Sequence, residues 1–197
     1  MRVNNVREAW CIDHPNSDAM RSFYDRSIWG KSKSRDPDTL KALMRDGVEH
    51  SGAICVLVGT TTWQSRWVKY EIARAVIDMR GLLAVHINGL NHIDRRVPDP
   101  NGYNPLNCMG VFHAYDGRYY LYENFVEVDP KTGLLGWAWR QYEDFKDPVP
   151  LPRYIPSIDQ GYVMPLARYT SEYDYVCGKG HSNIGAWIDD AAVAAGR

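Results

Sequence analysis

The chain has 197 residues, of which 45% are hydrophobic and 24% are charged, a mixture typical of a folded protein with one substantial core. Its 23 basic and 24 acidic side chains give a formal net charge of −1. That balance disfavours a general nucleic-acid or membrane-surface binder, because both classes usually carry a basic excess.

The first elements in chain order are helical. Apolar residues recur on one face of residues 3–10, which predicts a helix. Residues 21–25 form a short mixed stretch that is compatible with a strand. Asp36 is a plausible N-cap for the next helix, and Pro37 suits the first helical position.

A strand–helix–strand unit follows. Residues 53–58 are continuously apolar and rich in β-branched side chains, as in a strand buried on both faces. Residues 63–79 have the period of a helix, and residues 82–87 form another apolar strand. Such a unit predicts a parallel sheet, in which ligands sit at the carboxyl ends of the strands. The turn at 59–62, which contains Thr60, and residues 86–88 are therefore expected near any site.

The second half is less regular. Residues 88–107 are rich in Pro, Gly and Asn and predict a long loop, and an Asp-Gly pair at 116–117 between aromatic runs predicts a hairpin. Residues 148–156 form a proline-rich connector. Ser182 is expected to cap a last short helix that runs through Trp187.

We expect one domain over residues 1–197, with an elaborated C-terminal half over about residues 100–197. The N-terminus lacks the apolar block of a signal peptide, and no apolar run approaches the roughly 18 residues that span a bilayer. The four cysteines are widely separated, which argues against a zinc site. These features predict a reduced, cytoplasmic protein that needs neither a metal nor a disulfide.

Glu71 is the acidic side chain in the most informative position. At 100° per residue it lies on the shoulder of the apolar stripe of its helix, with Trp67 one turn earlier on the same side. Partial desolvation disfavours the charged form of a carboxylate, so an interaction must stabilise that form if the group is to be ionised. A ligand with hydroxyl groups or developing positive charge would supply one, and so would a salt bridge with a basic neighbour. The basic neighbours on this helix are Arg66, Lys69 and Arg74.

The order of these features resembles TIR domains, which typically carry a Trp-Cys-x-x-Glu-like motif on the helix after such a strand. Here the motif is Trp67-Val68-Lys69-Tyr70-Glu71-Ile72, with Val in place of Cys. Two further segments, Tyr24-Asp25-Arg26-Ser27-Ile28-Trp29 and His86-Ile87-Asn88, are similar to segments of the TIR-like proteins of bacterial Thoeris antiphage systems. Tyr120-Leu121-Tyr122-Glu123 in the later hairpin is similar too.

The resemblance implies an α/β, flavodoxin-like three-layer fold around a central, mostly parallel sheet. Relatives normally begin with a Phe-Phe-Ser-Phe-like strand, followed by a loop that lines the nucleotide site. This chain begins at the helix that should come after that strand, so the leading strand is expected to be absent from it.

In enzymatic members of the family, the implied activity is cleavage of the nicotinamide–ribose bond of NAD, with NAD as substrate and no cofactor. Glu71 is the implied catalytic residue, since a carboxylate can hold the ribose hydroxyls and stabilise an oxocarbenium-like carbon. Contact with the substrate is not the only reading of the other candidates. Asp25 and Ser27 could instead form hydrogen bonds within a local turn, and Trp67 could simply pack against its neighbours. The candidate substrate contacts are Asp25, Ser27, Trp29, Thr60 and Trp67.

The implied partners are NAD or a related nucleotide, other copies of the chain, and an effector protein reached through a diffusible ADP-ribose-type messenger. Neither nucleic acid nor a membrane is expected. Two other functions stay open: a non-catalytic TIR-like interaction module, and a nucleoside deoxyribosyltransferase-like enzyme. The chain has no Gly-x-Gly-x-x-Gly or Walker A sequence, which disfavours a dehydrogenase or a P-loop hydrolase.

Overall fold

The computed structural model describes residues 36–49, 51–92, 94–128, 133 and 135–197. The predicted helix at 3–10 and the predicted strand at 21–25 lie outside these residues. In chain order the described elements are helix α1 (Pro37–Glu49), strand β1 (Ala53–Val58), helix α2 (Arg66–Ile77), strands β2 (Gly81–His86), β3 (Met109–His113), β4 (Tyr119–Val128), β5 (Leu135–Gln141), β6 (Val163–Pro165) and β7 (Ser171–Asp174), and helix α3 (Gly180–Ala194).

The first sheet contains β1, β2 and β7 in that order, and all three strands are parallel. This arrangement confirms the parallel sheet that the strand–helix–strand unit predicts. Val58 lies opposite His86, and His86 lies opposite Asp174, so the three strands end at the same level. Their carboxyl ends therefore form one edge of the sheet, and the turn at 59–62 lies at that edge.

Helices cover both faces of this sheet. Leu82 and Ala84 of β2 pack in one cluster with α2, whereas Leu83 and Val85 pack in a second cluster with α3. All four side chains are buried. The alternation follows from strand geometry, in which successive side chains point to opposite faces. Helix, sheet and helix are the three layers of the α/β fold that the sequence predicts.

A second, antiparallel sheet has the strand order β5-β4-β3-β6. The predicted hairpin is confirmed between β3 and β4, where Gly117 has a φ of 80° in the turn. Met109, Val111 and Leu121 of this sheet belong to the same buried cluster as α2. Helix α2 therefore shares one core with both sheets. The extent of a single domain over 1–197 stays a prediction, because residues 1–35 are outside the described part.

In the first half of the chain, one local prediction is confirmed and two are refined. The Asp36 cap is confirmed, because the backbone N–H of Thr39 donates a 2.9 Å hydrogen bond to the Asp36 carboxylate. The helix predicted over 63–79 begins only at Arg66, since Thr62–Gln64 forms a separate 3₁₀ turn. In β1 only Val56 and Val58 are buried, so the expectation of burial on both faces holds for β2 but not for all of β1. Within the described residues β1 pairs with β2 alone.

The prediction for the last helix is wrong in both its limits. Helix α3 begins at Gly180, directly after Lys179 with a φ of 52°, so Ser182 lies inside the helix. It continues to Ala194 because its last turns remain packed on the parallel sheet: a Cβ on Gly81 would lie 2.2 Å from the backbone oxygen of Ala191. No helix in the described part of the chain has both the length and the apolar character needed to cross a bilayer.

Candidate active site

The turn after β1 is fixed by its own hydrogen bonds and by a neighbouring loop. The Gly59 N–H donates to the Thr62 hydroxyl at 2.8 Å, and the Thr62 N–H donates to the Gly59 carbonyl at 3.3 Å. Gly102 lies against this turn so closely that a Cβ there would be 2.0 Å from the Gly59 oxygen. Glycine is therefore required at 102, and the loop that contains it closes over the carboxyl end of β1.

Asn88 ties the same loop to Thr60. The Asn88 side chain is fully buried, and its amide donates to the Thr60 hydroxyl at 3.2 Å and to the Pro100 carbonyl at 2.7 Å. Thr60 in turn donates to Pro100 at 2.9 Å. The structure has Thr60 in the turn directly after the carboxyl end of β1, as the sequence predicts. Its role as a substrate contact stays a prediction.

Trp67 and Glu71 lie one turn apart on α2 and share one face of the helix. Both are half-buried, and both take part in interactions within the molecule. The Trp67 ring meets the Tyr70 ring edge-on, with centroids 6.5 Å apart, and the Arg66 guanidinium lies 5.9 Å from the Trp67 centroid. Glu71 therefore lies one helical turn after Trp67 on α2. This helix begins shortly after residues 59–62, the segment at the carboxyl end of β1.

The three cations that the sequence offers as partners of Glu71 each hold a different carboxylate. Arg66 pairs with Asp144 at 2.8 Å, and Lys69 pairs with Glu123 at 2.9 Å. Arg74 pairs with Asp78, one turn further along α2, at 2.6 Å. Asp144, Glu123 and Asp78 are therefore the partners of these three cations.

Glu123 and Asp144 contribute to a charged cleft of about 230 Å³ between α2 and the antiparallel sheet. Glu123 is 6% exposed and accepts hydrogen bonds from Lys69 at 2.9 Å and from Arg140 at 2.9 and 3.1 Å. The hydrogen bonds from Arg66, followed by that from Lys41, lower the pKa of Asp144 to about 2. These contacts use every carboxylate oxygen of the two residues, which is the arrangement expected of a structural ion network.

The sequence contained one signal for Glu123. Leu121, Glu123 and Phe125 alternate along β4, so the carboxylate occupies a position where an apolar residue would be expected. A charged residue in that register predicts a buried partner. Asp144 gives no comparable signal, because it lies after β5 in a turn whose contacts are made with α1 and α2.

Three of the predicted substrate contacts, Asp25, Ser27 and Trp29, lie outside the described residues. Among the residues that the structure describes, no group of three His, Cys, Asp or Glu side chains could hold a metal ion. Free cysteines in this part of the chain are Cys55, Cys108 and Cys177.

His86 is the last residue of β2 and His113 is the last residue of β3, and both have contacts within the fold. His86 Nε2 is 2.7 Å from the Glu172 carboxylate, whose other oxygen accepts a hydrogen bond from buried Asn104. His113 Nδ1 is 2.6 Å from the Ile158 carbonyl, and its ring stacks on Tyr119. These contacts favour a structural role for both histidines.

Comparison with known proteins places these residues in a family context. Residues 1–92 match the family model described as Thoeris protein ThsB, TIR-like domain. The chain is also 28% identical over 189 residues to a protein of Bacillus cereus (strain MSX-D12) named "Putative cyclic ADP-D-ribose synthase ThsB1". That alignment covers 95% of this chain and 91% of the relative. Glu71 and the five candidate substrate contacts all fall within the matched residues 1–92.

Proposed function

Because this chain is a TIR-like protein of the Thoeris family, we propose that it cleaves the nicotinamide–ribose bond of NAD and releases an ADP-ribose-type signal in antiphage defence. The name of the Bacillus cereus relative supports a product of the cyclic ADP-ribose class. An effector protein would detect that product. NAD is the substrate, and the proposed reaction uses no cofactor.

The observation that carries this proposal is the position of Glu71. Its half-buried carboxylate lies one turn after Trp67, on the helix that follows the carboxyl end of β1. In parallel α/β sheets, ligands bind at that end of the strands. Glu71 therefore combines a partly desolvated negative charge with the expected location of a substrate.

The chemistry requires such a charge. When the bond between the nicotinamide nitrogen and the ribose carbon breaks, the electron pair leaves with nicotinamide and the ribose carbon becomes oxocarbenium-like. A carboxylate at this point accepts hydrogen bonds from the ribose hydroxyls and stabilises the positive charge. Water, or a nucleophile within the same molecule, then forms the new bond to the ribose carbon and completes the reaction.

Trp67 and Thr60 support this assignment as substrate contacts. The Trp67 indole can shield the ribose from water or stack on a base. Thr60 is exposed at the carboxyl edge, where hydrogen bonds with Asn88 and Pro100 hold its hydroxyl in place. Asp25, Ser27 and Trp29 complete the proposed set of contacts on the basis of the family resemblance.

A TIR-like interaction module is the second candidate function. The exposure of Leu135 and Trp137, at 73% and 58%, favours it because large apolar side chains in solvent often mark a docking surface. The deoxyribosyltransferase-like alternative gains no support from the described residues.

The experiment that tests the proposed function measures nicotinamide release from NAD by chromatography and identifies the second product by its mass. The parent and the Glu71→Gln variant are compared, with and without extract from phage-infected cells as a source of activator. Release that depends on Glu71 supports the proposal. A parent that releases no nicotinamide in either condition contradicts it and favours the interaction module.

A further inference from the structure

A second carboxylate, Glu172 of β7, lies near the carboxyl edge of the parallel sheet. Glu172 is opposite Ala84 in the register of β2 and β7. Successive residues of a strand point to opposite faces, so the Glu172 side chain shares a face with Ala84 and His86. Ala84 packs in one cluster with α2, the helix that carries Glu71. Both carboxylates are therefore on the α2 side of the sheet.

The Glu172 carboxylate has one hydrogen-bonding partner on each oxygen. His86 Nε2 lies 2.7 Å from Oε1, and the Asn104 amide donates a 2.8 Å hydrogen bond to Oε2. Asn104 is only 4% exposed, and its side-chain oxygen accepts a 2.9 Å hydrogen bond from the Leu106 N–H. The carboxylate is consequently oriented by groups that are themselves anchored in the fold.

Glu172 retains acceptor positions for a ligand. Within the described residues, the buried His86 Nδ1 has no hydrogen-bond partner. A proton there would be a buried donor without an acceptor, so the favoured tautomer carries its proton on Nε2 and donates it to Glu172. A carboxylate has about four lone-pair positions, of which two are used here. Since the Glu172 side chain is 47% exposed, the others are open to hydrogen-bond donors from outside the protein.

The loop over residues 100–104 connects this carboxylate to the candidate site. Thr60 donates to the Pro100 carbonyl at one end of the loop, and Asn104 donates to Glu172 at the other end. Four residue steps of extended chain span at most about 14 Å. In the sheet, β2 alone separates β1 from β7, which places these two strands about 10 Å apart. Both lengths suit a dinucleotide, in which a diphosphate joins two nucleosides.

Other roles for this carboxylate explain less of its geometry. Charged side chains on edge strands commonly prevent pairing with another chain, and β7 is an edge strand of the described sheet. That role does not require a fixed orientation. A metal ion would need more ligands, and no group of three His, Cys, Asp or Glu side chains in the described part of the chain could hold one. Two neighbouring hydroxyl groups, which donate together to one carboxylate, match the open positions of Glu172.

We propose that Glu172 binds the nucleotide and accepts hydrogen bonds from the 2′- and 3′-hydroxyls of an adenosine ribose. This assignment rests on the proposed NAD cleavage, in which Glu71 acts at the other ribose. Acidic side chains bind ribose hydroxyls in the same way in doubly wound dinucleotide-binding folds. A nucleotide without the two hydroxyls would lose both hydrogen bonds. Glu172 thereby selects the ligand without taking part in the bond that breaks.

Isothermal titration calorimetry of the whole chain with ADP and with 2′,3′-dideoxy-ADP tests the assignment. ADP carries the adenosine ribose alone, so the titration requires no cleavage. The test variant is Glu172→Gln, which removes the negative charge, and Glu127→Gln is the matched control because Glu127 is an exposed carboxylate on β4. Circular dichroism and the melting temperature establish that each variant is folded. If Glu172→Gln fails this check, Glu172→Thr replaces it, because threonine favours strands.

We expect the parent and Glu127→Gln to bind ADP at least about tenfold more tightly than 2′,3′-dideoxy-ADP, because hydrogen bonds to a charged group are among the stronger ones. The folded Glu172 variant should bind the two ligands with nearly equal affinity. A parent that does not distinguish the ligands, or that binds neither, would overturn the proposal. A folded variant that keeps the parental preference would overturn it too, since Glu172 would then have a structural role only.

Nicotinamide release from NAD by the same proteins separates this proposal from the proposed function. Glu172→Gln should raise the KM for NAD by about tenfold or more and leave kcat nearly unchanged, because the adenosine ribose is remote from the bond that breaks. A parental KM in this variant would overturn the role of Glu172 while NAD cleavage stands. A parent that releases no nicotinamide but distinguishes the two ADP ligands through Glu172 would refute the cleavage and support the ribose contact.

Discussion

The Lys69 ammonium on α2 donates a 2.9 Å hydrogen bond to the Glu123 carboxylate on β4, and both side chains are largely buried. Arg140 on the neighbouring strand β5 binds the same carboxylate. Two cations thus converge on one anion. The ion network connects the helix that carries Glu71 to the antiparallel sheet in addition to their shared apolar core.

Replacing Glu123 by Ala should lower the free energy of unfolding by about 3 kcal/mol, because Lys69 would be left in a largely buried position without its anion. Urea denaturation at pH 7 measures the change. Glu143→Ala is the matched control: Glu143 also pairs with Arg140, at 3.4 Å, but is 69% exposed, so its loss should cost less than about 1 kcal/mol. Equal costs for the two substitutions would contradict the buried network.

Asp144 should make stability depend on pH in the acid range. Arg66 and Lys41 hold its pKa near 2, below the ordinary value of 3.8. The ionised form is therefore favoured by folding, so its contribution is present above pH 4 and is lost as the pH falls toward 2. Since Arg66 is 62% exposed, we expect the contribution to be about 1–2 kcal/mol.

The measurement compares urea midpoints of the parent and Asp144→Asn from pH 5 to pH 2. The parent should lose more stability than the variant over this interval, and the two curves should converge at the acid end. Parallel curves would show that Asp144 is not the group responsible.

Gly102→Ala should destabilise the loop that closes over the carboxyl end of β1. The new methyl group would overlap the Gly59 carbonyl, and shifting the backbone to relieve the overlap costs about 1–3 kcal/mol. Thermal melting measures the loss. Gly136→Ala is the control, because a Cβ at that position meets nothing within 4 Å and should leave stability nearly unchanged.

If the proposed function is correct, Gly102→Ala should also lower the rate of nicotinamide release, whereas Gly136→Ala should not. Thr60 is held by Pro100, two residues from the substituted glycine, so a displaced loop would move a proposed substrate contact. Unchanged turnover in a destabilised Gly102→Ala protein would show that this loop does not contribute to the site.

Glu71→Gln should reduce nicotinamide release by about a hundred- to thousandfold, since one lost electrostatic contact commonly costs roughly 3–4 kcal/mol of transition-state stabilisation. Glutamine keeps the size of the side chain but offers no negative charge to an oxocarbenium. Glu143→Gln, at a largely exposed position, is the control and should retain parental turnover. Paired melting curves separate catalysis from folding: a small drop in melting temperature with full activity would make Glu71 a structural residue.

Strands β1 and β2 of the parallel sheet could be predicted because they are nearly continuous apolar runs, whereas the polar strand β7 (Ser171–Asp174) has no such run and was not predicted. The apolar residues of each strand are adjacent in the sequence, so a short segment is enough to recognise it. The amphipathic helix between the two strands indicates that they are parallel. The limits of α3 could not be predicted in the same way. Its start depends on a left-handed Lys179, and its extension to Ala194 depends on packing against β1 and β2, which precede it by about a hundred residues.

The same distinction applies to the candidate site. The placement of Trp67 and Glu71 on one face follows from their spacing alone, because a helix puts residues four apart on the same face wherever it lies. In contrast, the pairing of Arg66 with Asp144 and of Lys69 with Glu123 depends on how the chain folds. The same is true of the hydrogen bonds that hold Thr60 to Asn88 and Pro100. Helical periodicity acts over a few residues, whereas an ion pair forms between whichever charges the folded chain brings within about 4 Å, however far apart they lie in the sequence.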